Sequence, residues 1–118
     1  MLYRVGGREF LVLDPNEPLP QVVMDDINGR VAAMRMFDDP VATLVSLEAE
    51  TGKRFVLVDH CPLCTLGPYE ELREIWTVYV STGALTTGLS SWDEGLGFAD
   101  DFVSSQPAPE QWVIVQKG

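Results

Sequence analysis

Short β-favouring runs, each stopped by a break that carries glycine or proline, recur along this 118-residue chain. That punctuation constrains the fold most, because short runs joined by tight turns make hairpins, and hairpins make antiparallel sheets. Leu2-Tyr3-Arg4-Val5 turns through Gly6-Gly7 into the run from Arg8 to Leu13, which Asp14-Pro15 ends. Arg30 to Phe37 reads as a strand stopped by Asp38-Asp39-Pro40. Val41, Thr43, Val45, Leu47 and Ala49 alternate with a more polar set, and Glu50-Thr51-Gly52 turns that run toward Lys53 to Asp59. Trp76 to Ser81 turns at Thr82-Gly83 toward Leu85 to Leu89, and Trp112 to Gln116 reads as a closing strand.

Helical signals lie between these runs. Pro20 suits the first position of a helix over 20–27 with Gly29 as its stop, while Asn28-Gly29 equally suits a two-residue hairpin turn. A helix over 41–51 competes with the strand reading there. Gly67-Pro68 opens a short helix that places Tyr69, Leu72 and Trp76 at i, i+3 and i+7. Ser91-Trp92-Asp93-Glu94 has capping-box spacing, with Ser91 as N-cap and Glu94 at the third helical position. Trp92, Leu96, Ala99 and Val103 then share one face, Gly95 and Gly97 weaken the helix, and Gln106-Pro107-Ala108-Pro109 ends it. The expected fold class is α+β, a single domain over 1–118 with a mainly antiparallel sheet built from hairpins and two or three short helices.

Charge narrows the choice of partner. Eighteen acids stand against eight Lys and Arg, for a formal net charge of −10 and a pI near 4.3. Residues 55–116 contain nine acids and only Arg73 as a base. Phosphate backbones and anionic membranes would repel such a surface, so the expected partner is a basic protein, neither nucleic acid nor membrane. The N-terminal residues lack the apolar core of a signal peptide and no run has the length of a membrane span, so the expected location is cytoplasmic.

Both cysteines and the only histidine fall within His60-Cys61-Pro62-Leu63-Cys64, directly after the apolar run that ends at Asp59. Two cysteines are too few for a secreted disulfide framework. His60 and Cys61 are adjacent, and no further Cys or His completes a metal site, so no metal or other cofactor is expected. The order of strand, Cys-Pro-Leu-Cys and helix resembles the thioredoxin and glutaredoxin superfamily, and Asp59-His60-Cys61-Pro62-Leu63-Cys64 is similar to the signature of its small thiol oxidoreductases. That resemblance implies Cys61 as nucleophile, activated at a helix N-terminus, and Cys64 as the resolving thiol. Against a complete fold of that kind, only residues 65–118 follow the motif, and Pro68 interrupts any helix that contains Cys64.

No P-loop, dinucleotide-binding glycine fingerprint or triad histidine is present, so the chain reads as a binding protein more than an enzyme. The acidic helix from Asp93 to Ser105, followed by Gln106-Pro107-Ala108-Pro109-Glu110-Gln111-Trp112, resembles the closing segment of Imm1-type bacterial immunity proteins. That resemblance implies a cytosolic inhibitor of a cognate toxin, such as a nuclease or deaminase. Trp92, Asp93, Glu94, Asp100 and Asp101 are its candidate contact residues. A phage inhibitor that mimics DNA would share this composition.

Overall fold

Arg54–Cys64, strand β3, organises the molecule in a computed structural model that describes residues 1–7, 9–35, 38–64 and 73–117, with backbone alone at 61–64, 73 and 74. Phe55, Val56, Leu57 and Val58 are all fully buried, so the strand is covered on both faces, as a continuous apolar run requires. On one side it pairs antiparallel with β4 (Arg73–Val80), which pairs antiparallel with β5 (Gly83–Leu89). On the other side it pairs parallel with β6 (Trp112–Lys117), in a register that sets Arg54 against Trp112 and Asp59 against Lys117. The sheet order is β5-β4-β3-β6.

Alternation along these strands divides the core in two. Phe55, Leu57 and Val115 face a layer made of helices α1 (Gln21–Ala32) and α2 (Pro40–Thr51) and the hairpin β1 (Leu2–Val5) and β2 (Glu9–Val12). Val56, Val58, Trp76, Val78 and Val80 face helix α3 (Trp92–Ser104), which contributes Ala99. The fold is therefore α+β, with a mainly antiparallel sheet between two layers. Residues 6 and 7 form the expected hairpin turn, both with positive φ that glycine adopts freely.

Two strand assignments from the sequence are corrected. Residues 41–49 are helical: Asp39 caps α2 by accepting a hydrogen bond at Oδ1 from the Val41 N–H at 3.0 Å, and Pro40 occupies its first turn. Gly52 ends the helix in a left-handed conformation, φ 73°. Leu44, Leu47 and Thr51 form the buried stripe, while Val45, which the alternation would have buried, is half exposed. Residues 30–35 are not a strand either, because Arg30, Val31 and Ala32 are the last turn of α1, and the rest of that expected strand, residues 36 and 37, lies outside the described residues. Asn28-Gly29 is neither stop nor hairpin turn. Val23, Ile27 and Val31 recur every four residues and are fully buried, and that tertiary gain carries the helix through both breakers.

Trp76 belongs to β4 opposite His60, not to a helix with Tyr69 and Leu72. The expected helix over residues 67–72 lies outside the described residues. The remaining expected elements form: β4 and β5 turn at Gly83, α3 begins after Ser91, and β6 closes the sheet. Among the described residues no helix is long and apolar enough to cross a membrane.

Candidate binding surface

Helix α3 starts where its cap dictates. Ser91 Oγ accepts a hydrogen bond from the Glu94 N–H at 3.2 Å. Glu94 Oε2 does not return to Ser91 but accepts from the Ser90 N–H at 2.9 Å and from Ser90 Oγ at 3.1 Å, a capping box displaced by one residue. Asp93 and Glu94 lie in the first turn, where the positive end of the helix dipole favours them.

Glycine sets how closely α3 lies on the sheet. A Cβ at Gly95 would stand 2.6 Å from Val58 Cγ1, so only glycine permits this approach. Ala99 is fully buried one turn on, and Leu96, Phe102 and Val103 flank it half-buried. Successive residues turn by about 100°, so the opposite arc falls to Asp93, Glu94, Gly97, Phe98, Asp100 and Asp101, and all six are exposed. Phe98 is 38% exposed and Trp92 43%. Trp92 is held at the sheet by a hydrogen bond from Nε1 to Gln116 Oε1 at 2.6 Å, which leaves part of its ring open to solvent.

The structure thus brings Trp92, Asp93, Glu94, Asp100 and Asp101 onto one helix, with the four acids on its solvent face and Trp92 at the rim. Phe98 was absent from the sequence-derived set. Its signal was present, since it is a large apolar residue outside the stripe formed by Leu96, Ala99 and Val103. From residue 74 through residue 116 the chain contains no Lys or Arg. The ion pairs of the described residues, Arg30 with Glu50 and Arg54 with Glu48, leave α3 out. Among the described residues no ion pair reaches the four carboxylates, and Phe98 stands at one edge of their exposed arc.

The motif at 60–64 is placed differently. The backbone of Cys61-Pro62-Leu63-Cys64 forms the end of β3, with Cys61 opposite Ile75 and Cys64 opposite Arg73, across a register shift. The cysteine side chains are outside the described residues. The His60 ring stacks on Trp76, with centroids 4.3 Å apart and planes at 14°. The neighbouring Asp59 carboxyl is pushed above the ordinary carboxylate range, chiefly by burial, against the opposing pull of the His60 backbone N–H and the Lys117 charge. Lys117 Nζ is turned toward the end of α1, where it donates to the carbonyls of Ala32 and Met34. Among the described residues no three His, Cys, Asp or Glu side chains are grouped to hold a metal ion.

No protein-family model, no curated protein and no solved structure matches the chain.

Proposed function

We propose that this chain is a small acidic binding protein of the immunity or inhibitor type, which neutralises a basic partner such as a nucleic-acid-targeting toxin by covering it with the outer face of α3. The observation that carries the reading is the exposed arc of Asp93, Glu94, Asp100 and Asp101 with Phe98 at its edge, on a helix without a Lys or Arg. Carboxylates presented in this way match a groove that otherwise holds phosphates, speed encounter with it, and disfavour acidic competitors. Phe98 and the open part of Trp92 supply the apolar contact that charge alone does not give.

Rescue tests the reading. The gene adjacent to this one should arrest growth when expressed alone, and co-expression of this chain should restore it. A harmless neighbour, or toxicity that this chain leaves untouched, overturns the proposal. Changing Asp93, Asp100 and Asp101 to Asn and Glu94 to Gln should slow association with that partner and flatten its salt dependence; an unchanged association rate removes the electrostatic part.

Thiol exchange by Cys61 and Cys64 is the competing reading, supported by the C-x-x-C spacing. It receives less support because exchangers draw their reactive thiolate from a helix N-terminus, whereas the backbone of both cysteines runs in a paired strand. Insulin reduction by dithiothreitol, accelerated by the wild type and not by Cys61→Ser, would restore it.

A further inference from the structure

A second site lies at the start of β6. Lys53 follows the left-handed cap of α2 and is 2% exposed, a rare position for an ammonium. Its Nζ has three protons to donate and, among the described residues, makes one hydrogen bond, to the carbonyl of Glu110 at 3.1 Å. Glu110 is in the short 3-10 turn Pro109–Gln111, and its own side chain is exposed. No carboxylate of the described residues forms an ion pair with Lys53, although the chain carries 18 acids. A buried cation with one neutral partner is costly, so its retention points to an anion from outside.

Space for that anion is present. Lys53 lines a cavity of about 370 Å³ whose apolar wall is made by Leu19, Met24, Trp112 and Val113. The walls are fixed from several sides. Gln111 Nε2 donates to Asn16 Oδ1 at 3.1 Å, joining the loop before α1 to the 3-10 turn. The Trp112 ring meets the Arg54 guanidinium, 4.7 Å from its centroid, and the near-perpendicular Phe102 ring at 5.2 Å. Asn16, Pro18 and Glu110 complete the described lining, in which Lys53 is the one cation, and a single cation beside an apolar wall matches a singly charged head on an apolar body.

We propose that this cavity binds a small monocarboxylic acid, its carboxylate on Lys53 Nζ and its apolar body against Leu19, Met24 and Trp112. The volume of about 370 Å³ lies at the low end of small-molecule sites. The site uses none of the α3 acids, although its Trp112 wall meets Phe102 of that helix.

The test compares 3-phenylpropionate with 3-phenylpropanamide, which has the same size and shape but no charge. Both are titrated into the full chain while the backbone amide and indole NMR signals of Met24 and Trp112 are followed. The acid should shift these signals saturably and bind about tenfold tighter than the amide, the value of one charge-assisted hydrogen bond at its lower end. Lys53→Met should bind acid and amide alike. Equal affinity of the wild type for the two probes, no saturable shift at Met24 or Trp112, or an acid preference that survives in Lys53→Met overturns the proposal. If Lys53→Met does not fold, the ratio measured on the wild type decides.

Discussion

On the α1 and α2 side of the sheet, charged side chains are tied to their own molecule. The Arg30 guanidinium meets both oxygens of Glu50, at 3.1 and 2.7 Å, and lies 3.4 Å from the Tyr3 hydroxyl, which donates to Asp26 Oδ2 at 2.6 Å. That chain of contacts links β1, α1 and α2. On the α3 side the corresponding work is done by shape, through Gly95 and Ala99 seated on Val58 and its neighbours, and by the Glu94 cap on Ser90, while Asp93, Asp100 and Asp101 are exposed. A layer held by close packing and a single capping carboxylate leaves its other three acids available to another molecule.

The largest expected effect breaks the α3 side. Gly95→Ala places a methyl group 2.6 Å from Val58 Cγ1, and Val58 is fully buried and β-branched, so it cannot swing aside. Urea unfolding should show a loss of about 1–3 kcal/mol, the usual cost of overpacking. Gly97 in the same helix has open space where its Cβ would go, and Gly97→Ala should raise stability by about 0.5–1 kcal/mol. The two glycines therefore separate packing from propensity. A neutral Gly95→Ala would mean that α3 is not seated as closely as this geometry requires.

The opposite layer is tested through Tyr3. Its phenol is pushed up to about 12 from an ordinary 10.0, first by burial and then by donation to Asp26, with Arg30 pulling the other way. The folded state thus holds the proton to a higher pH than the unfolded state does. The resulting stability is fully present below pH 10 and is lost as pH rises from 10 toward about 12. Tyr3→Phe should cost about 1 kcal/mol at neutral pH through the lost hydrogen bond. It should also flatten the decline of stability in alkali, measured by unfolding at intervals of pH. The α3 acid variants should leave that decline unchanged; if they alter it, the two layers are not electrically separate.

How much of this could be read in the sequence follows from the range of each interaction. Gly6-Gly7, Thr82-Gly83 and the Ser91 cap act within a few residues, and the elements they specify form as expected. The α2 signals were local too, since Asp39-Pro40 and Gly52 are a helix start and stop, but the alternation of Val41, Thr43 and Val45 obscured them. The path of α1 through Asn28-Gly29 is set by burial against the sheet, which no neighbouring residue announces. The parallel pairing of β6 with β3 is also nonlocal and leaves no mark in either strand's composition. At the α3 surface the acids and Trp92 were legible because helical period assigns faces, and the same reasoning extended to position 98 finds Phe98. Lys53 was not legible: its burial depends on a carbonyl 57 positions away.

The smallest expected effect separates stability from function within α3. Asp101 is in the last turn, at the negative end of the dipole, and no basic residue accompanies it there. Asp93 sits at the favourable end. Asp101→Asn should therefore raise stability by about 0.3–0.5 kcal/mol, and Asp93→Asn should lower it by a similar amount, both shrinking as salt screens the dipole. Toward a basic partner the two substitutions should act in the same direction, each slowing association. A residue that weakens its own helix yet hastens binding is placed for the partner. If Asp101→Asn leaves the association rate unchanged, the binding face is confined to the first turn, around Trp92, Asp93 and Glu94.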